Sequence, residues 1–208
     1  MNKGYFGVIG LGYVGLPLAI QFTKAGYHVV GVDIDEKRIG LLKDGQSYIG
    51  DISDTDLKSA VDQGLFLPTT DYGALRDVET MSICVPTPLR KTREPDVSFV
   101  VSVAERIAKS LQKDQTVILE STVYPGATND LVAPILEQAS GLKAGQDFYI
   151  AFSPERVDPG NSKYQMQDIP KLVGGINQAS TDQAAELYRD VFTTVLPLRS
   201  AKEAEMAK

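Results

Sequence analysis

FGVIGLGYVGLPLAIQFTKAGYHVVGVDID, residues 6–35, reads as strand, glycine turn, helix and second strand in unbroken succession. Tyr5 to Ile9 is a short apolar run, and Leu16 to Ala25 spaces its apolar residues at three and four, as one face of a helix does. His28 to Val32 is a second apolar run. Between the first run and the helix lie Gly10, Gly12 and Gly15 in a GxGxxG. In that pattern the first glycine makes the tight turn, the second lets backbone approach a pyrophosphate, and the third permits close packing of helix on strand. The anion then rests on the free N–H groups at the helix N-terminus. Asp33 ends the second run, about 20 residues beyond the turn, where a carboxylate accepts both hydroxyls of an adenosine ribose. A 2′-phosphate would set its charge against that carboxylate, with only Lys37 and Arg38 near to offset it, so the pattern selects NAD over NADP. Lys37 reads equally as part of a solvated helix face.

The same alternation continues along the chain. Further strands are expected at Met81 to Val85, Thr116 to Leu119, Phe148 to Phe152, Lys171 to Val173 and Thr194 to Leu198. Most are continuous apolar runs, which suits strands buried on both faces. Helical spacing covers Lys37 to Lys43, Asp54 to Gln63, Ser98 to Leu111, Thr128 to Ala139 and Thr181 to Val191. Asp54, Ser98 and Thr181 are the expected N-caps. Gly26, Gly45, Gly64 and Gly141 each follow a helical segment, where a left-handed residue is wanted. The fold class is therefore α/β: a Rossmann-type, doubly wound, mostly parallel sheet with helices on both faces. Residues 1–199 are expected to form this domain. Ala201 to Lys208 is helix-forming sequence without a stop signal, so a helix is expected to be cut there in mid-course.

Composition removes several functions. With 27 acidic against 21 basic residues and no Lys/Arg run, the surface would repel a phosphate backbone, so no nucleic acid partner is expected. One cysteine and one histidine exclude an internal disulfide and argue against a zinc site, so no metal is expected. A reducing, cytoplasmic setting fits. Tyr5 to Ile20, behind Lys3, superficially resembles a signal peptide, but four glycines and Pro17 interrupt it. No window approaches ~18 uninterrupted apolar residues, so no membrane span is expected. Cys84 falls inside a predicted apolar strand with no base or cation beside it and reads as a small core residue, not a nucleophile. His28 reads as a half-buried structural residue.

Three strand ends carry polar, proline-stiffened loops: VPTPL (Val85 to Leu89), ESTVYPG (Glu120 to Gly126) and AFSPERVDPGN (Ala151 to Asn161). In an open α/β sheet, ligands bind at that edge. Together with GLGYVG and the terminal EAEMAK, and in this order and spacing, the loops resemble the UDP-glucose/GDP-mannose dehydrogenase family over the whole chain. The resemblance implies oxidation of a UDP-sugar C6 alcohol to a carboxylate with two NAD⁺, through a thiohemiacetal and a thioester on a catalytic cysteine. It sets Gly10, Leu11, Gly12, Tyr13, Val14, Gly15, Asp33, Arg38, Pro86, Thr87 and Thr122 against the cofactor. It sets Glu155, Arg156, Val157 and Lys208 against the UDP-sugar. Thr122 would hold a water or the reacting oxygen, Glu155 would transfer a proton or activate water, and Lys208 would stabilise an oxyanion. The residues alone leave rivals open: Thr122 as a loop tie, Glu155 with Arg156 as a mutual surface ion pair, Lys208 as a frayed end. REPDVSFV (Arg93 to Val100), YPGAT and SPERVDPGN are most similar to the branch acting on UDP-N-acetylhexosamines. UDP-N-acetylglucosamine is favoured there over UDP-N-acetylmannosamine and UDP-glucose.

The resemblance also implies that the nucleophilic cysteine, the UDP-binding domain and most of a connecting helix lie outside these residues, with 200–208 beginning that helix. Without them the sugar has no anchor, and this chain alone is expected to be inactive. For the parent protein a homodimer is implied, and for this chain a monomer or a non-native association. The reading from another class is a free-standing NAD-binding module without hydride chemistry. Thr122, Glu155 and Lys208 in dehydrogenase positions speak for the enzyme.

Overall fold

In the computed structural model, which describes residues 3–89, 95–156 and 166–207, the expected opening unit is β1 (Tyr5–Ile9), α1 (Gly15–Lys24) and β2 (His28–Val32). β1 and β2 run parallel, with Tyr5 opposite His28 and Ile9 opposite Val32. α2 (Glu36–Lys43) and α3 (Asp54–Asp62) lead to β3 (Phe66–Thr69). Then come β4 (Thr80–Ile83), α4 (Ser98–Ala108), β5 (Thr116–Leu119), α5 (Ala133–Ser140) and β6 (Tyr149–Phe152). β7 (Lys171–Gly175), α6 (Gln178–Arg189), β8 (Val195–Pro197) and α7 (Ala201–Met206) complete the described chain. One sheet results, in the order β3-β2-β1-β4-β5-β6-β7-β8. Its first six strands are parallel and follow the Rossmann order. β7 pairs with β6 antiparallel, and β8 runs parallel to β7.

Helices cover both faces, which is why the central strands are continuous apolar runs. α1, α2, α3 and α6 bring Leu16, Leu42, Leu57 and Tyr188 onto one face. α4, α5 and α7 bring Val103, Leu136 and Ala204 onto the other. None of the described helices is long and apolar enough to cross a membrane.

The structure departs from the sequence expectations where local pattern competes with context. β3 was not foreseen, because Pro68 inside it argues against a strand; it is an edge strand, where a missing N–H is tolerated. The helix expected over 128–139 is divided into a wide π-type turn at Thr128–Val132 and then α5. Pro134 lacks the N–H for a regular bond and crowds the carbonyl four residues back. The N-caps are Ser53 and Asn177 in place of Asp54 and Thr181, accepting from Asp56 N and Ser180 N at 3.1 and 2.9 Å. Thr181 turns inward, its hydroxyl accepting from Gly175 N at 2.8 Å. Ser98 is already helical, and its N–H goes to Asp96 Oδ1 at 3.0 Å. Gly26, Gly45, Gly64 and Gly141 do adopt positive φ after their helices.

Candidate active site

The glycine turn separates into packing and open space. Gly10 has φ of +90°, and a Cβ there would lie 2.8 Å from the Cys84 carbonyl oxygen. A Cβ on Gly15 would lie 1.9 Å from the Gly10 carbonyl oxygen. A Cβ on Gly12 would meet nothing within 4 Å. The outer glycines are therefore required by the protein's own packing, and the middle one faces room for a ligand. α1 starts at this turn and, like α4 and α5, has no side-chain cap and no acidic residue in its first turn, whereas side chains cap α2, α3, α6 and α7. Within the first turn of α1, Leu16 N donates to the Gly12 carbonyl at 3.1 Å, Leu18 N to the Val14 carbonyl at 3.2 Å, and Pro17 has no N–H, so the donors that face an anion are those of the glycine turn leading into the helix.

Asp33 sits just past β2 and is only 7% exposed. Its Oδ2 accepts from Leu11 N at 2.9 Å and its Oδ1 from Asp35 N at 3.0 Å. Arg38 stands 3.6 Å from both the Asp33 and the Asp35 carboxylates. Gly10, Gly12, Tyr13, Val14, Asp33, Arg38, Pro86, Thr87 and Thr122 all line one cleft of about 800 Å³ along the carboxyl ends of β1, β2, β4 and β5. Leu11 and Gly15 sit beneath it: the Leu11 side chain is in the core, and Gly15 packs on Gly10. The far wall, which sequence reasoning missed, is Tyr72 with Phe99, Ser102, Val103 and Arg106 of α4. Arg106 lies over the Tyr72 ring at 5.1 Å. The available signal was the i, i+4, i+7 stripe of Phe99, Val103 and Arg106 on one helix face.

At the other end of the cleft, Thr122 is exposed in its wall. Its neighbour Ser121 is a loop tie, donating to the Ile83 and Val85 carbonyls at 3.2 and 2.7 Å. Below lies a cluster that the sequence did not announce. Lys171, the first residue of β7 and 3% exposed, puts its Nζ 2.6 Å from Glu120 Oε2 and 3.0 Å from Glu155 Oε2. Tyr188 and Ser82 donate to Glu120 Oε1 at 2.5 and 3.3 Å. Burial by itself would lower the Lys171 pKa, but the two carboxylates outweigh it and hold the ammonium above the usual lysine range. Burial and then Glu120 push the Tyr188 phenol well up. Glu155 is thus a buried partner of Lys171, not half of a surface ion pair with Arg156. The Arg156 N–H donates to Glu155 Oε1 at 2.8 Å, and its guanidinium donates to the Pro170 carbonyl.

Cys84 follows β4 instead of lying within it; it is buried in the cleft wall that Glu120 also lines. His28 is half-buried and stacks on Tyr5 at 5.2 Å. Val157, Lys208 and Arg93 lie outside the described residues. Glu205 of α7, also missed, accepts from Gly126 N, from Thr128 N at 2.8 Å and from the Thr128 hydroxyl at 2.7 Å.

A doubly wound sheet with this glycine turn, an uncapped first helix and an acid closing β2 defines a dinucleotide-binding Rossmann domain. Residues 5–192 match the UDP-glucose/GDP-mannose dehydrogenase family, NAD binding domain, and the chain belongs to that family; its cofactor is NAD. It is 38% identical over 202 residues to a UDP-N-acetyl-D-glucosamine 6-dehydrogenase of Pseudomonas aeruginosa, covering 97% of this chain and 47% of that protein. Among solved structures, a UDP-D-ManNAc dehydrogenase from Pyrococcus horikoshii superposes with a TM-score of 0.92 at 35% identity, over 98% of this chain and 49% of that one. A GDP-mannose dehydrogenase from Pseudomonas aeruginosa gives 0.90 at 29% identity, over 98% and 48%. The chain spans about half the length of these relatives.

Two pairs of outcomes follow from this geometry. Gly12→Ala leaves stability within ~0.5 kcal/mol and weakens NAD⁺ binding, whereas Gly15→Ala costs about 1–3 kcal/mol through overpacking; denaturant melts and NAD⁺ titration separate them. Lys171→Met strands two buried carboxylates and lowers stability by roughly 3–5 kcal/mol. A urea transition shifted by less than about 1 kcal/mol would show that water reaches the cluster and that the ion pairs contribute little.

Proposed function

We propose that this chain is the NAD⁺-handling part of a nucleotide-sugar 6-dehydrogenase that oxidises the C6 alcohol of a UDP-sugar, UDP-N-acetylglucosamine before UDP-N-acetylmannosamine or UDP-glucose, to a carboxylate. The observation that carries this reading is a single cleft holding the open face of Gly12, the ribose-reading Asp33 and, at its far end, Thr122. The choice of sugar rests on the 38% identity to the UDP-N-acetyl-D-glucosamine 6-dehydrogenase and on the SPERVDPGN loop.

In this reading the backbone N–H groups of the Gly12–Gly15 turn hold the pyrophosphate and Asp33 holds the adenosine ribose, with Arg38, Pro86 and Thr87 closing the cleft around them. NAD⁺, when bound, accepts the hydride. Thr122 orients a water or the reacting oxygen, and the Glu155 carboxylate holds or moves the proton. Arg156 and Val157 contact the UDP-sugar, and Lys208 stabilises an oxyanion. Residues 200–208 begin a connecting helix, which the anchoring of α7 through Glu205 supports, and a homodimer built on that helix suits the complete protein. The single cysteine of these 208 residues, Cys84, is buried. The thiol for a thioester step therefore comes from outside them, and this chain alone does not turn over.

Calorimetric titration with NAD⁺ and NADP⁺ tests the cofactor half. Saturable NAD⁺ binding, weaker for NADP⁺ and lost in Asp33→Ala, is expected; no heat with either nucleotide in a folded sample sinks it. For the catalytic half, incubation of the chain with NAD⁺ and UDP-N-acetylglucosamine is expected to produce no NADH. Uronic acid formation would show that a complete active site lies within these residues.

A further inference from the structure

Resting on the reading that NAD⁺ lies over the Gly10–Gly15 turn, we propose that Tyr48 is a cofactor-positioning residue that sets this turn in its binding conformation. Tyr48 lies between α2 and α3, outside every motif described above. Its place is fixed locally. Ser47 N donates to Asp54 Oδ1 at 2.7 Å, the Ser47 hydroxyl donates to the Ile49 carbonyl at 2.9 Å, and Ile49 is buried in the core.

From this anchored segment the Tyr48 hydroxyl reaches 37 positions back and donates to the Leu11 carbonyl at 2.5 Å. The Leu11 N–H donates to Asp33 Oδ2 at 2.9 Å. Both peptide planes that flank Leu11 are thereby fixed, the first by Asp33 and the second by Tyr48. In a trans peptide the C=O and the following N–H point in opposite directions. Drawing the Leu11 carbonyl to Tyr48 therefore turns the Gly12 N–H the other way, and Gly12 lines the cleft. The same bond keeps a carbonyl oxygen, which would repel a pyrophosphate, from swinging toward it. The ring has a second task. The Arg38 guanidinium lies 5.4 Å from its centroid, between the Asp33 and Asp35 carboxylates, so the face of Tyr48 steadies the cation beside the ribose-reading acid. Burial, then Asp33, push the phenol up, which favours the protonated, donating hydroxyl.

Tyr48→Phe removes the hydroxyl and keeps the ring. NAD⁺ titrated into the wild-type and Tyr48→Phe chains, well below both thermal midpoints, is expected to bind the variant about five- to tenfold more weakly, the equivalent of one lost hydrogen bond to an oriented carbonyl. The unfolding transition is expected to stay where it was. A Kd within twofold of wild type overturns the proposal, as does a loss of affinity no greater than the unfolded fraction of the variant. If the wild-type chain itself fails to bind NAD⁺, the functional reading falls and takes this inference with it. Wild-type binding that survives intact in Tyr48→Phe overturns the inference alone.

Discussion

One buried ammonium, Lys171, organises the loops at the carboxyl ends of β5 and β6. It joins the end of β5, through Glu120, to the loop after β6, through Glu155, at 2.6 and 3.0 Å. Taking one cation and two anions out of water costs several kcal/mol per ion, and only excellent geometry with further hydrogen bonds offsets that. The further bonds are present. Tyr188 and Ser82 donate to the Glu120 oxygen that faces away from Lys171, and the Arg156 N–H donates to the second Glu155 oxygen. The ammonium also lies over the Tyr188 and Phe192 rings, at 5.1 and 5.2 Å. Lys171 is the first residue of β7, the strand that leaves the parallel pattern. The antiparallel addition to the six-stranded Rossmann order is thus what supplies the cation beneath the loops that carry Thr122 and Glu155.

The glycine turn rests on steric exclusion where the loops after β5 and β6 rest on charge. Cys84 follows β4, with its carbonyl against Gly10 and its side chain 3.1 Å from where a Gly15 Cβ would stand. The contact is made by the Cys84 backbone and Cβ, so it is glycine at positions 10 and 15 that the closure of the turn onto this segment demands. Ser121 then ties the end of β5 to the same segment through the Ile83 and Val85 carbonyls. The turn, the VPTPL loop and the ESTVYPG loop are therefore held against one another by packing and by the Ser121 hydroxyl.

What was legible in the sequence was local. The glycine roles at 10, 12 and 15, and Asp33 at the end of β2, follow from spacing, because backbone geometry acts over a few residues. β3 escaped because Pro68 signals against a strand unless its edge position is known, and edge position is a property of the whole sheet. The division of the helix at Thr128–Val132 turned on Pro134, a residue compatible with a first helical turn as well as with a break. Lys171, Glu205 and Tyr48 escaped for a different reason. Their partners lie 16 to 79 positions away in the cases of Lys171 and Glu205 and 37 positions away for Tyr48. No periodicity encodes such a meeting. A lysine opening an apolar strand, as in KLVGG, was the one available hint, since lysine is almost never fully buried unless paired.

Glu205 shows how the last described helix joins this scheme. Its carboxylate accepts from Gly126 N, Thr128 N and the Thr128 hydroxyl, taking the place that an N-cap side chain would hold at the start of the π-type turn. A local cap would have stabilised only that turn; a cap from α7 fixes the direction of α7 as well. It also fixes it relative to the loop that begins at Glu120, and Glu120 is the carboxylate gripped by Lys171. Charge on β7, the polar loop after β5 and the heading of α7 thus form one connected set of bonds. With a carboxylate inserted among buried donors, any rotation of α7 would leave two backbone N–H groups and a charge without partners, each costing about 1–3 kcal/mol or more. The orientation of α7 is therefore set by polar satisfaction, with the apolar packing of Ala201 and Ala204 providing the contact surface on which that choice is made.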